Sequence, residues 1–353
     1  MNTLILAAGR FGPAMKRAIE EGREPRLDVF EIAKVLGADV LDYLDVENSR
    51  APAVRLVARA LGPSPALAYL GYQARDRYDA ILTTGEDIGL PLSSLLKTSR
   101  VRPAHTLIAH TLFPAKKRAF FHLLRVQDRI DRIFAYSTTE EQLMVGKLGI
   151  DSSKVQRIYY HADQQFFRPT DAAPEPNLLC AAGQLLRDYD CLIEAVRDLP
   201  VRLEVAAGSP WIENTLKPRQ ALPPNVSWGK KNRFELRALY ARSALAVVPI
   251  LQNEYQTGIA TILEMMSMGK CVIATKTRGQ TDTIVDGETG VYVPPSDPLA
   301  LRKTIQRLLA SPDEAARIGR AARRFVEENA GLDRFVERIS AAVRESHAAR
   351  LAA

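Results

Sequence analysis

The sequence predicts an α/β chain of two domains, each a parallel sheet wrapped by helices. Three observations carry that expectation. The chain has 353 residues, too many for one ordinary core and enough for two. Short apolar runs alternate with amphipathic segments along its length, which is the pattern of repeated strand–helix units. One stretch, RPTDAAPEPN at 168–177, breaks that rhythm with three prolines and no periodicity, as a linker between domains does.

Before the linker, strands are expected at 3–8, 40–43, 80–83, 106–109, 133–136 and 155–158, each followed by polar or helical sequence. Ser137 with Glu140, and Thr138 with Glu141, have the capping-box spacing, so a helix should begin just after the strand that ends at Tyr136. After the linker the rhythm restarts, with strands at 178–182, 203–207, 245–248 and 271–274 and a helix at 190–197. The expected architecture is two Rossmann-like domains, 1–167 and 178–330, facing each other across a cleft. The helical, basic end of the chain, 331–353, is expected to pack back on the first domain.

Composition narrows the class. Hydrophobic content of 46% and charged content of 25% are ordinary for a globular enzyme. No apolar run is long enough to span a bilayer, and MNTLILAAGR reads as a first core strand, so a cytoplasmic location is expected. Cys180, Cys191 and Cys271 are odd in number and far from a C-x-x-C spacing, which fits buried thiols better than a disulfide framework or a structural zinc. The net charge of +7 favours anionic partners without choosing among nucleotides, phosphosugars, acidic lipids and nucleic acid.

The stretch NEYQTGIATILEMMSMGK, 253–270, poses a specific question. Ile259, Ile262, Leu263, Met265, Met266 and Met268 wrap most of a helix that should lie inside the protein, yet Glu264 sits among them. A buried carboxylate needs a hydrogen-bonding partner, either another part of the chain or a ligand.

Four ordered stretches give that question a context: GQLLRDYDCLIEA (183–195), NVSWGKKNRFELRALYARSALAVVP (225–249), QTGIATILEMMSMGKCVIAT (256–275) and DGETGVYVPPSDP (286–298). Together they resemble the retaining GT-B glycosyltransferases of the family 4 type, glycosyl transferases group 1, whose second domain binds a nucleotide-sugar donor. The resemblance implies transfer of a sugar from a nucleoside diphosphate sugar to an acceptor hydroxyl with retention; neither a metal nor a further cofactor is expected, since a helix end and cations can neutralise the phosphates. It also implies site residues. The helix opening at Gly258 offers unpaired amides and a positive dipole end to a diphosphate, with Thr257 and Ile259 beside it. Glu264, about 9 Å along the axis at 1.5 Å per residue, would take the ribose hydroxyls. The family carries two glutamates with seven residues between them; here the first position is Gln256, a neutral partner for the sugar. Glu254 falls two residues too early. The family's arginine position is Gln184, which leaves Arg187 as the diphosphate cation, with Lys230 or Lys231 as a second.

In the first domain the resemblance points to His110, at the end of a strand, as a contact of the transferred sugar or its reacting centre. Gly9, Arg10 and Gly12 follow the first strand and form a candidate loop toward the diphosphate. Glu86 and Asp87, also after a strand, are candidate acceptor contacts. The segment 113–132 mixes Phe120, Phe121, Leu123, Leu124 and Ile130 with Lys116, Lys117, Arg118, Arg125 and Arg129. It reads either as a core helix with a solvated basic face or as a peripheral contact with the inner face of an anionic membrane. The acceptor, whether sugar, lipid or small molecule, is not legible. Two alternatives stand against transfer: a nucleotide-sugar epimerase or hydrolase of the same fold, which five histidines serve poorly, and a basic nucleic-acid-binding protein. The second ranks lowest because the arginines are scattered without an aromatic stacking motif, and no nucleic-acid partner is expected.

Overall fold

The computed structural model describes residues 1–208, 217–218 and 221–352. The chain divides into two compact units, one of residues 1–20, 26–158 and 335–353, the other of residues 21–25 and 159–334. Each is built on its own parallel six-stranded sheet.

The first unit carries β1 (Thr3–Leu6), β2 (Asp39–Leu41), β3 (Ala80–Thr83), β4 (Ala104–Ile108), β5 (Arg132–Ala135) and β6 (Val155–Arg157) in the order β2-β1-β3-β4-β5-β6. Every residue of β1, β3 and β4 is buried, as expected of parallel strands covered on both faces. The Ser137 hydroxyl accepts the Glu140 N–H at 3.2 Å, so the helix Thr138–Gln142 starts where the capping spacing places it. The last helix, Leu332–Leu351, gives residues 335 onward to this unit. Phe335, Ile339 and Val343, spaced by four, form its buried stripe, and Arg350 pairs with Asp131 at 3.0 Å.

Segment 113–132 divides its side chains between core and solvent. In the helix Ala115–Leu124, Phe121 is fully buried with Leu112, Val126 and Ile130, and Phe113 and Phe120 pack against that cluster. Leu123 and Leu124 are exposed beside Lys116 and Arg125. Lys117 leaves the basic face altogether, because its ammonium turns inward to Glu86.

The second unit carries β7 (Glu175–Ala182), β8 (Arg202–Ala206), β9 (Val226–Gly229), β10 (Ser243–Val248), β11 (Val272–Thr275) and β12 (Val291–Val293) in the order β12-β11-β10-β7-β8-β9. Counted from the far edge this is the doubly wound order 3-2-1-4-5-6, whose switch point lies between β7 and β10. Residues 159–167 belong to this unit, since Phe166 and Phe167 are buried in its core with Leu178, Met265 and Met266. The proline-rich stretch 168–177 therefore lies within the unit, and its last three residues open β7. The helix Ile259–Ser267 is buried at every position except Ala260, as its apolar circumference requires.

Candidate functional site

The switch point of the second sheet brings two loops together. The loop after β7 runs against the loop after β10 through the Leu251 N–H to Leu186 oxygen bond at 2.9 Å and the Asp188 N–H to Pro249 oxygen bond at 3.1 Å. The first loop delivers Arg187 and the second delivers Gly258, so the cation and the helix mouth named from sequence meet at one place. Gly258 adopts φ +81° and caps the helix Ile259–Ser267 without a side-chain bond. Helix geometry leaves the first amides of that helix without intrahelical acceptors.

Arg187 is 9% exposed. Its Nε donates to the Ala182 oxygen at 3.0 Å, one terminal nitrogen to the Leu185 oxygen at 2.9 Å and the other to the Thr261 hydroxyl at 3.2 Å. The guanidinium lies between two glycines: a Cβ on Gly183 would fall 2.3 Å from it, and one on Gly258 would fall 3.1 Å from it. No carboxylate among the described residues pairs with it, and burial pulls its pKa down. A cation so placed favours an arriving anion, because its charge is held in a poorly solvated site with no carboxylate at ion-pair distance among the described residues.

Glu264 has its partners within the protein. One carboxylate oxygen accepts from Arg233 at 2.7 Å, and the other accepts from the Tyr240 hydroxyl at 3.3 Å. Burial pushes the Glu264 carboxyl up, and the Arg233 charge opposes that rise. Neither partner was singled out from sequence, although a signal existed. Arg233 and Tyr240 stand seven residues apart on the helix Arg233–Arg242, two turns along one face.

The other donor-side residues take varied places. Thr257 donates its hydroxyl to Asn253 Oδ1 at 2.9 Å. Gln256 donates from its amide to the Thr283 hydroxyl at 3.4 Å. Glu254 turns away and pairs with Arg278 at 3.0 Å. Ile259 packs in the core. Lys231 pairs with Glu204 at 3.4 Å, while Lys230 is exposed with its stem near Gly208. A pocket of about 190 Å³, lined in part by Arg187, Gln184, Tyr189 and Trp228, opens beside the loop after β7 and is too small for a whole nucleotide. Asp188-Tyr189-Asp190 is an Asp-x-Asp tripeptide, but Asp188 serves as a helix cap, accepting the Cys191 N–H at 3.2 Å and the Ser296 hydroxyl at 2.9 Å.

In the first unit the candidates gather at the C-terminal edge of the sheet. The Gly9 carbonyl accepts the Tyr43 N–H at 3.0 Å, and Gly12 opens the helix Pro13–Glu20. Arg10 is exposed and paired with Glu47 at 2.7 Å. His110 is exposed, and its ring Nε2 lies 3.0 Å from the Thr84 oxygen. Glu86 is buried: one oxygen accepts the His110 backbone N–H at 2.8 Å and the other takes the Lys117 ammonium. That geometry makes Glu86 the support of the His110 loop. Asp87, largely exposed, shares Lys117 at 3.2 Å.

Glu140, next to this cluster, is buried and accepts the Leu112 N–H. Burial lifts its carboxyl from 4.5 to about 7, and the nearby Glu86 charge adds to the rise. Below about pH 4.5 it is protonated folded and unfolded alike. As pH rises to about 7 the unfolded chain releases the proton first, so stability is lost through that window, by about 3 kcal/mol in all. His105 works in the other direction. Fully buried between the Thr83 and Ser93 hydroxyls, it is pulled by burial from 6.5 to about 4, and stability is lost as pH falls between those values. The two slopes oppose each other. Glu140→Gln, which keeps an acceptor for Leu112, should stabilise the protein by about 3 kcal/mol at pH 8 and by almost nothing at pH 4.5. Urea unfolding followed by circular dichroism at both pH values checks this; an equal gain at both would exclude titration of Glu140 as its source.

Two parallel six-stranded units with helices on their faces define the GT-B class of α/β proteins. Among solved structures the chain superposes on Anabaena HepE in complex with UDP and glucose with a TM-score of 0.71 at 15% identity, covering 98% of this chain and all of that one. Sucrose-phosphate synthase from Thermosynechococcus elongatus superposes with a TM-score of 0.71 at 17% identity, covering 99% of this chain and all of that one. Residues 163–325 match the family model described as glycosyl transferases group 1. Among characterised relatives, the sulfoquinovosyl transferase SQD2 of Arabidopsis thaliana is 28% identical over 204 residues, 56% of this chain and 39% of the relative. The D-inositol 3-phosphate glycosyltransferase of Streptomyces avermitilis is 26% identical over 268 residues, 68% of this chain and 57% of the relative. The matched stretches thus span under two thirds of either relative's length.

Proposed function

We propose that the protein is a retaining glycosyltransferase that takes its sugar from a nucleoside diphosphate sugar. The observation that carries this reading is Arg187, a buried guanidinium without a carboxylate at ion-pair distance among the described residues, set against the helix that Gly258 caps without a side-chain bond. In the proposed reaction the bond from the anomeric carbon to the diphosphate oxygen breaks, the acceptor oxygen bonds to that carbon, and the acceptor's proton passes to the departing diphosphate. Charge developing on the diphosphate meets the Arg187 guanidinium and the first amides of the 259–267 helix. These groups supply the positive charge, so the reading calls for neither a metal nor a cofactor. Retention rests on the family resemblance alone.

A thermal-shift panel tests the proposal, with UDP-glucose, GDP-mannose, ADP-glucose and TDP-glucose beside their free nucleoside diphosphates. A ligand that binds only the folded state raises the melting temperature, and at least one base should do so. No shift with any of the eight would refute the donor reading. Once an acceptor is known, the anomeric coupling in the proton spectrum of the product decides retention.

A further inference from the structure

Gln280, in the loop from β11 to β12, is completely buried, yet neither its amide oxygen nor its amide nitrogen has a hydrogen-bond partner among the described residues. The Thr277 hydroxyl and the Gln256 amide oxygen share that condition. Buried polar atoms are otherwise almost always satisfied, because each carries the full cost of lost hydration. Four such atoms, on three residues of adjoining loops, mark a place that something other than the protein completes.

The place is defined by how the loops touch. The Gly279 N–H donates to the Asn253 oxygen at 3.3 Å, and Gln256 donates to the Thr283 hydroxyl at 3.4 Å. Gln280 lies in the chain between those two points, on the loop that straddles 253–256 just before the helix mouth. The approach is so close at Gly279 that a Cβ there would fall 2.1 Å from the Tyr255 oxygen. The cations of this loop are engaged elsewhere: Arg278 pairs with Glu254, and Lys276 lies over the Tyr292 ring at 5.7 Å. What remains is a neutral set, one amide offering both a donor and an acceptor, one hydroxyl and one amide oxygen.

We infer that Gln280, with Thr277 and Gln256, binds the hydroxyls of the donor's sugar and selects a neutral hexosyl group. This rests on the donor reading above. Vicinal hydroxyls present a donor and an acceptor side by side, which a terminal amide matches with its own pair. A sugar bearing a carboxylate or sulfonate would call for a free cation in that set instead.

Gln280→Met keeps the shape and removes both amide atoms, and Thr277→Val removes only a hydroxyl. Titration calorimetry on the whole chain compares the sugar nucleotide giving the largest shift in the panel with its free nucleoside diphosphate. Gln280→Met should lose about tenfold in affinity for the sugar nucleotide and less than about twofold for the diphosphate, and Thr277→Val about fivefold against none. The unliganded melting temperature of Gln280→Met should stay level or rise, since a buried unpaired amide is gone. If wild type binds no nucleoside diphosphate, the donor reading falls and this inference falls with it. If wild type binds both ligands and neither variant discriminates between them, this inference alone is overturned.

Discussion

Arg233→Met should destabilise the second unit by about 3–5 kcal/mol, the usual cost of leaving one member of a buried ion pair without its partner. The Glu264 carboxylate sits on a helix buried at every position except Ala260, with Arg233 at 2.7 Å as its counter-charge and Tyr240 as a second donor. Removing the guanidinium leaves a charge that must either be protonated or carry its desolvation unaided. Adding Glu264→Gln should recover most of the loss, because the amide needs no counter-charge and still accepts from Tyr240. Both tryptophans of the chain fall in residues 159–334, so urea unfolding by tryptophan fluorescence follows this unit. A loss below about 1 kcal/mol would mean that the pair is solvated as surface pairs are.

Glu264→Gln alone should weaken binding of the nucleotide-sugar donor about tenfold to a hundredfold, since a hydrogen bond to a charged group contributes about 1.5–3 kcal/mol. Each carboxylate oxygen accepts one protein donor, and each has a second lone pair for a ribose hydroxyl. Glu254→Gln is the matched control. Its carboxylate is substantially exposed and paired with the more exposed Arg278, an arrangement worth little. Affinities are compared by calorimetry at a temperature where each variant is folded. Equal losses in the two variants would mean that the register of 254–264 against the donor is misassigned.

Local pattern made part of this protein readable. The helix 259–267 is apolar around its circumference and opens at a glycine, and Ser137 stands three residues before Glu140; both features act within one turn of chain. The strands with continuous apolar runs were readable for the same reason. The short strands β9 and β12 were not, since VSWG and VYV hold too few apolar residues to announce themselves. What a charge does depended on contacts far along the chain. Lys117 looks like part of a basic face until it meets Glu86, 31 residues away, and Glu264 looks unpaired until Arg233 reaches it from 31 residues away. Residue type alone marks Arg187 as a cation, but its burial between Gly183 and Gly258 follows only from the strand order that sets β7 beside β10. Gln280 carries no pattern in sequence; its significance lies in the partners it lacks among the described residues.

In the proposed function, Arg187 and the helix opening at Gly258 together hold the diphosphate. Calorimetric titration of a nucleoside and its diphosphate, on wild type and on Arg187→Met, tests it most directly, the methionine retaining most of the buried stem. For at least one base the diphosphate should bind at least about tenfold tighter than the nucleoside, and Arg187→Met should erase most of that difference while leaving nucleoside affinity nearly unchanged. For every base tried, equal affinity of nucleoside and diphosphate on wild type, or an equal loss of both in the variant, would contradict it.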